Sequence, residues 1–572
     1  MLLVLMATSP VVCADCVNAR FIPADSEIYD CMDALYSLSS LGKPSTNRPW
    51  SESEARLLLS KVNRFELNET ADMIYARASQ IIDEHTRWTI KEFGISANAD
   101  FTYEMYAHAN SSEFFLESDW IRGYSQRKPL MHFGFDFTAS DFFYTSFDAN
   151  YQFGRASHLD AFETYKGSQR ISADGYVGSY KLSDTAHFVS RSYFFGSPFV
   201  SNFFTDTHDF SFIWPKRAIF SFGGKNWNLS LNRDKLKIGD AHTGNLLVDD
   251  YSDYNDFSRL SVFIDGFRYD WILMFFNTLT SNSEDMTDEA RMMMIHTLDF
   301  RIFDRVSLKI SENVMYRYSV FDLQFLNPAF IFHNLNNRKM FNALAYIELN
   351  AQILKGLGIY LQFAMDQARA PNEGDEQSDS SGWIAGIEHT ATALGGMFES
   401  YVEFVYTTPL LYRRDGVDFI KVSRYYHQDP LDTAVYSGHI PFFEYIGFQF
   451  GGDTVSYKIG TSFSMPSLLK ASVSALWLEH GQMNLYKSHN AGNINENEAN
   501  YQEKSPSGDV TTRALALSSK FETSMEGFFR WPGTKCSVEL DWIRIWNYTK
   551  AARSYSDGRS DLQLSLSITA SI

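Results

Sequence analysis

Apolar and small polar residues alternate without exception over residues 562–572, at the carboxyl end of the chain. A period of two places every apolar side chain on one face of a β-strand and every polar side chain on the other. The same alternation returns along most of the chain after about residue 100, for example over residues 101–107 and 131–137. A strand with one apolar and one polar face suits a wall between lipid and water. The pattern therefore predicts an all-β transmembrane barrel of the outer-membrane type, with antiparallel strands.

The clearest predicted hairpin turns at Lys355 and Gly356. In the strand that follows, apolar Ile359 and Phe363 point to one side and polar Gln362 points to the other. The alternating pattern covers roughly 470 residues, from about residue 100 to the carboxyl end. At about 25 residues for each strand and its connection, this length allows roughly 16 to 20 strands. Such a barrel encloses more space than its side chains fill, so its lumen is either water-filled or plugged. A soluble β-sandwich would show the same alternation, but chain length and aromatic content favour the membrane.

Before the barrel, the apolar residues follow a helical period. A first helix begins near Ile28, and Ser51 with Glu54 forms a capping box ahead of a second. A third helix is expected from about residue 68 to residue 92. We therefore predict a small helical bundle over residues 15–99 that packs against or into the periplasmic mouth of the barrel.

The apolar start of the chain, residues 1–14, predicts a secretory signal peptide. With the helical bundle at residues 15–99, the barrel then takes residues 100–572. A lipoprotein anchor at Cys13 or Cys16 is an alternative that fits the preceding residues less well. Cys16 and Cys31 could pair in an oxidising periplasm. Unpaired cysteines that serve as small apolar residues are the favoured interpretation.

Composition supports the same class of protein. Aromatic residues make up 16% of the chain, with 48 Phe and 31 Tyr, as the two interfacial girdles of a membrane barrel require. No run of about 18 apolar residues follows the first segment, which excludes a helical membrane protein. The net charge of −19 makes nucleic acid and other polyanions poor partners. No nucleophile, metal-ligand or phosphate-loop motif appears, so neither an enzyme nor a cofactor or metal is expected.

Several stretches, taken in order, resemble the capsule-assembly Wzi family. Residues 28–42 are similar to its helix "YxxLxxLxxLG", and residues 48–58 to its "RPxSRxEA" motif. Residues 232–246, 326–328 and 447–453 are similar to its later segments. The resemblance implies an 18-stranded outer-membrane barrel with a periplasmic helical bundle. It also implies a lectin-like surface protein that holds capsular polysaccharide to the cell.

We therefore expect a non-enzymatic, monomeric protein of the cell outer membrane that contacts lipid and surface polysaccharide. The acidic balance of the chain disfavours an acidic polymer as that ligand. The rival hypothesis is a transport channel, either a porin or a carrier of hydrophobic solutes. Steady channel currents would separate the two.

Three residues are candidates for ligand binding. Arg233 and Asp234 end an apolar-faced strand, where Arg233 could donate a bidentate bond to a pair of sugar hydroxyls or to a carboxylate. An ion pair that braces the barrel is the favoured alternative for both. Asp453 follows two glycines, and the favoured alternative there is a residue that caps a turn.

Three further polar residues lie inside alternating strands and are predicted to line the lumen: Gln362, Asp366 and Glu403. In an open bore the two carboxylates would favour cations over anions. In a plugged barrel the three side chains would instead bond to the helices.

Overall fold

The computed structural model describes most of the chain. The described residues are 11–13, 17–83, 85–90, 92–114, 126–153, 159–164, 176–177, 180–181, 188–192, 198–203, 210–252, 254–276, 290–318, 341–367, 379–413, 417–427, 438–483, 485, 504–525 and 533–572. The predicted signal segment lies outside them except for Val11–Cys13, a short strand that pairs with residues 85–87. The family-like segment 326–328 and Cys16 also lie outside them. Cys31 is a buried, free thiol.

Three α-helices precede the barrel: α1 (Ile28–Leu38), α2 (Glu52–Leu59) and α3 (Glu69–Asp83). The Ser51 side chain accepts the backbone N–H of Glu54 at 3.3 Å, as the capping motif predicts. The third helix ends at Asp83, not near residue 92, and His85–Ile90 forms a strand instead. Among the described helices, none has the length and apolar character needed to cross a membrane.

Eighteen antiparallel strands form a closed wall. In chain order they are β1 Phe93–His108, β2 Met131–Ala139, β3 Phe143–Phe153, β4 Phe210–Gly224, β5 Trp227–Asp234, β6 Asn255–Ile264, β7 Phe267–Phe276, β8 Ala290–Ile302, β9 Val306–Tyr318, β10 Phe341–Leu354, β11 Leu357–Gln367, β12 Ser380–Ala393, β13 Gly396–Thr407, β14 Thr454–Met465, β15 Leu469–His480, β16 Val510–Ser524, β17 Lys535–Thr549 and β18 Ser554–Ser571. The last strand pairs with the first, from Gln563 opposite His108 to Ser571 opposite Asp100. The barrel therefore has no free edge, which confirms the predicted fold class.

Side chains alternate between the two faces of the wall as the sequence predicts. In β18, Leu562 and Ile568 are 45% and 48% exposed, whereas Gln563 and Ser567 are 3% and 4% exposed. Exposed apolar side chains on a closed barrel face lipid, and the buried polar ones face the lumen. The predicted hairpin at Gly356 joins β10 to β11, and this glycine has a φ of 76°.

The two ends of the barrel differ in the length of their connections. At one end most turns contain two or three residues, such as 265–266 and 355–356. The other end carries long connections, such as 235–254 and 408–453. Since outer-membrane barrels have short periplasmic turns and long extracellular loops, the short-turn end is periplasmic.

The helices lie at the periplasmic end. The backbone N–H of Gly42 donates to the carbonyl of Asp304, in one short turn, at 2.7 Å. The N–H of Gly356, in another, donates to the carbonyl of Ser37 in α1 at 3.0 Å. The bundle has its own core around Met32, Leu35 and Trp50, and it packs against the mouth of the barrel as predicted.

Short strands outside the wall complete the described secondary structure. Besides those already given, they are Asn47–Arg48, Leu159–Thr164, Tyr176–Val177, Tyr180–Lys181, Phe188–Ser192, Phe199–Ser201, Lys237–Ile238, Ile420–His427 and Gly438–Tyr445, and Arg64–Glu66 forms a 3-10 helix. The pair formed by Asn47–Arg48 and Lys237–Ile238 matters most, because it lies within the lumen.

Candidate functional site

Two segments of the chain meet inside the lumen. We call residues 42–54, which arrive from the periplasmic end, the entry segment. We call residues 235–249, which follow β5 at the extracellular end, the inner loop. Lys237 of the inner loop pairs with Arg48 of the entry segment, and Ile238 pairs with Asn47, in a two-stranded antiparallel sheet. Together the two segments form a plug across the described part of the barrel.

Apolar packing fixes the inner loop to the wall. Leu236, Leu246 and Val248 are fully buried and belong to the same core as wall residues such as Met293 and Ile384. Each apolar side chain removed from water in this way stabilises the arrangement by about 1.5–3 kcal/mol. The inner loop is thus a packed part of the interior rather than a solvated connection.

Glycine is required where the inner loop passes close to the wall. Gly239 has a φ of 113°, a backbone conformation that residues with a side chain rarely adopt. A Cβ there would lie 2.3 Å from Asn245 Oδ1 and 2.6 Å from Gln362 Nε2. The close approach lets these polar groups bond across the boundary between loop and wall.

The three predicted lumen-lining residues all lie on the inner face of the wall and are buried. Gln362 Oε1 accepts the backbone N–H of Leu246 at 3.1 Å, and its Nε2 donates to Asn245 Oδ1 at 2.8 Å. Asp366 accepts the N–H of Tyr412 at 2.8 Å. Their partners belong to the inner loop and to the connection after β13, not to the helices that the sequence suggests.

Glu403 makes the densest set of these contacts. Its two carboxylate oxygens accept the backbone N–H groups of His242 and Thr243, at 2.7 and 2.8 Å. The Tyr360 hydroxyl donates to the same carboxylate at 2.6 Å. Hydrogen bonds to an ionised acceptor contribute about 1.5–3 kcal/mol each, so Glu403 is a major attachment point of the inner loop.

A buried ion cluster joins the entry segment to the inner loop and the wall. Lys43 Nζ lies 2.7 Å from Asp240 and 2.8 Å from Glu388. Arg48 Nη2 lies 3.1 Å from Asp240 and 2.8 Å from Asp33. Burial alone would raise the pKa of Asp240, but Arg48 and Lys43 outweigh it and hold that pKa well below its usual value.

A second buried network attaches the entry segment to β6 and β7. Asp270 accepts from Arg259 Nε at 3.1 Å, from Arg268 Nε at 2.7 Å and from Asn47 Nδ2 at 2.6 Å. Arg268 also pairs with Glu54 of the capping motif. The sequence analysis did not predict this network. The feature that indicates it is a set of charged residues at the inward-facing positions of two adjacent strands, β6 and β7.

The predicted ligand residues of β5 face opposite sides of the wall. Arg233 is half-exposed in the outward phase, and its Nη1 pairs with Asp256 of the next strand at 2.9 Å. Asp234 is buried in the inward phase, where Arg217 Nε donates to it at 2.9 Å. The structure therefore does not bring the two residues together, and their role in ligand binding stays a prediction.

Asp453 is also buried, in a connection at the extracellular end of β14. Its carboxylate accepts the backbone N–H groups of Met483 at 2.9 Å and of Ser507 at 2.7 Å. These contacts hold the two ends of the following long connection together. The geometry matches the turn-stabilising alternative, and a ligand contact by Asp453 stays a prediction.

One cluster within the described ranges has the composition of a metal site. His242, Glu388 and Glu399 bring possible ligand atoms within 4.8 Å of one another. Lys43 Nζ lies 2.8 Å from the Glu388 oxygen that faces His242 Nε2 at 3.8 Å. A divalent cation on this oxygen would lie beside the lysine charge, so the geometry favours the ion pair over a metal.

Comparison with known proteins identifies the fold. No protein-family model and no curated protein matches the chain. Among solved structures it is similar to Wzi, an outer membrane protein involved in group 1 capsule assembly in Escherichia coli and a carbohydrate-binding β-barrel. The TM-score is 0.52 with 12% identity, over 98% of this chain and 99% of that one. This likeness supports a Wzi-like fold, typical of outer-membrane proteins.

Two Pseudomonas aeruginosa barrels are more distant matches. OccK3 (OpdO) gives a TM-score of 0.40 with 10% identity, over 84% of this chain and 95% of that one. OccK2 (OpdF), solved in complex with glucuronate, gives 0.38 with 9% identity, over 84% and 98%.

Proposed function

We propose that this protein is a non-enzymatic, monomeric barrel of the outer membrane that binds or organises surface polysaccharide. The observation that carries the proposal is the plug: the inner loop and the entry segment meet inside the barrel and cross its lumen. A barrel built in this way offers its extracellular connections as a fixed binding surface. The full-length likeness in fold to a carbohydrate-binding barrel supports the same function.

Retention would work through many weak contacts. A repeating polymer presents the same sugar unit many times, so several barrels on one cell hold one polymer with an avidity above any single affinity. The net charge of −19 favours a neutral or weakly charged polymer over a strongly acidic one.

A channel is the rival function. A channel requires a continuous water-filled path. Gln362, Asp366 and Glu403, however, accept hydrogen bonds from backbone N–H groups of the chain inside the barrel. Within the described residues, the groups that would select a permeating solute are therefore used to hold the plug. This use favours a binding protein over a channel.

The test is retention of polysaccharide by cells of the source organism. Deletion of the gene should move surface polysaccharide from the cell-bound fraction to the medium, with the total amount unchanged. Wild-type protein should restore retention, and so should Glu522→Gln, a control on the inner face of β16 and away from the plug. Equal cell-bound polysaccharide with and without the gene would contradict the proposal.

A further inference from the structure

A polar cavity lies at the end of the barrel opposite the extracellular connections. It has a volume of about 510 Å³, within the usual range of about 300–1,000 Å³ for ligand sites. It opens at the periplasmic rim, between the chain just before the helices and the inner faces of β1 to β4. Its lining includes the guanidinium groups of Arg20 and Arg217, the carboxyl groups of Asp136 and Asp148, and the imidazole of His132. None of them takes part in the plug contacts of Gln362, Asp366 or Glu403.

Arg217 and Asp148 each present polar atoms that the described residues do not fully satisfy. Arg217 and Asp148 lie directly opposite each other on β4 and β3, yet Arg217 Nε donates to Asp234 instead, at 2.9 Å. Arg217 Nη2 has no hydrogen-bond partner among the described residues. The basic nitrogen described nearest to the Asp148 carboxylate is His132 Nε2 at 3.8 Å, which is beyond hydrogen-bond length. One cavity thus holds a donor and an acceptor that do not satisfy each other.

A third group is fixed in place by its neighbours. Asp136 accepts the Tyr144 hydroxyl at 2.8 Å and the Ser96 hydroxyl at 3.2 Å. Arg20 Nη2 lies 3.9 Å from the same carboxylate, and its Nε lies 3.4 Å from Glu52. This carboxylate is therefore held in one orientation beside the cavity, which lowers the entropic cost of binding a ligand there.

The remaining lining adds aromatic surface and neutral polar groups. Phe21 and Trp88 contribute rings, and Asn98 contributes an amide at the exposed rim. Carboxylates, guanidinium groups, an amide and aromatic rings in one pocket suit a ligand with many hydroxyl groups and apolar C–H faces.

Charge narrows the class of ligand further. An anion would face Asp136 and Asp148, and a cation would face Arg20 and Arg217. A neutral ligand avoids both costs, because its hydroxyl groups can donate to the carboxylates and accept from the guanidinium groups. We propose that this cavity binds a neutral saccharide of one or a few units on the periplasmic side. This saccharide site is separate from the proposed binding of surface polysaccharide, so a negative result for one does not decide the other.

The test uses the full-length protein in a detergent without a sugar headgroup, such as an alkyl dimethylamine oxide. Maltose, lactose and trehalose serve as neutral probes, glucuronate as an anionic probe and glucosamine as a cationic probe. Isothermal titration should show binding of at least one neutral probe in preference to both charged ones. Asp148→Asn should weaken that binding about tenfold or more, because a carboxyl group that can accept two hydrogen bonds is replaced by an amide with one acceptor oxygen.

Asp557→Asn is the matched control, since Asp557 lies at the extracellular end of β18 and outside the cavity. Trp88→Ala provides a second variant that leaves the charges in place and should also weaken binding. Heat-modifiable gel mobility checks that each variant is folded. Absence of neutral-probe binding, stronger binding of a charged probe, or unchanged affinity in both cavity variants would overturn the inference. Polysaccharide retention on cells could then still stand.

Discussion

Asp240 shows at the residue scale how one side chain joins the parts of the plug. It belongs to the inner loop, yet its two oxygens contact Lys43 and Arg48 of the entry segment. Removing one partner of a buried ion pair costs roughly 3–5 kcal/mol when the other charge is left alone. Here Lys43 keeps Glu388 as a partner, so the expected cost is smaller.

We predict that Asp240→Asn loosens the contact between inner loop and entry segment by about 2 kcal/mol. Hydrogen exchange at pH 7 should show faster exchange in residues 42–48 and 235–249, with the barrel strands unchanged. The matched control is Asp256→Asn, which removes the exposed partner of Arg233 and should change little. Equal protection in the Asp240 variant and the wild type would contradict the assignment.

A comparison of the wild type with Asp240→Asn also predicts how protection from hydrogen exchange depends on pH. Because the pKa of Asp240 is lowered in the folded state, its contribution is fully present above the ordinary value of 3.8. The contribution is lost only as the pH falls through the lower, folded-state pKa. The protection that wild type has over Asp240→Asn should thus persist at neutral pH, and the part due to Asp240 itself should be lost only in strong acid.

At this scale the sequence reveals on which face of a strand a side chain lies, but not which group it bonds to. Alternation places Gln362 and Glu403 on the polar face of their strands, and both side chains are buried in the structure. It does not reveal that they bond to the inner loop, because those partners lie more than a hundred residues away along the chain. Arg233 and Asp234 show the same limit, since adjacent strand residues must face opposite sides of a wall.

At the scale of elements, strands were easier to predict than helix ends. The strands carry a period of two, so hairpins such as β10 and β11 follow from the sequence alone. The predicted third helix was too long at its carboxyl end. Residues 85–90 contain Thr86, Trp88 and Ile90, types that favour strands, and this signal was outweighed by an apparent helical period.

The inner loop is the element that sequence reasoning missed entirely. It has no secondary-structure period, since only Lys237–Ile238 is a strand within it. One signal was present: the apolar run Leu246, Leu247 and Val248 is unusual for a connection that faces water. Its position in the lumen depends on contacts with separate strands, among them β11, β12, β13 and β14, which no local pattern encodes.

We predict that Glu403→Gln weakens the attachment of the inner loop, because two backbone N–H groups and a tyrosine hydroxyl lose an ionised acceptor. In planar bilayers this variant should show brief, irregular openings that are absent from the wild type. The matched control is Glu522→Gln, at an inward-facing position of β16 opposite Lys470 of β15 and away from the inner loop. Identical current traces for the two variants would contradict the role given to Glu403.

At the scale of the whole molecule, the barrel and its plug form one connected structure. The wall closes by pairing its last strand with its first, and the two ends of the barrel are linked through the lumen by Lys237 and Arg48. Sequence reasoning reached the barrel and the periplasmic bundle, and it left open whether the lumen is filled. That question depends on long-range packing, and in the described part of the chain the inner loop and the entry segment cross the lumen.

Single-channel recording of the purified wild-type protein in planar bilayers tests the central claim most directly. A barrel closed by its own chain should insert without steady conductance, and the bilayer current should stay at its baseline at moderate voltages. Insertion is checked independently by protease protection and by recovery of the protein from the membrane. Stable, ohmic steps of current from verified wild-type insertions would contradict the plug, and with it the proposal of a binding protein rather than a channel.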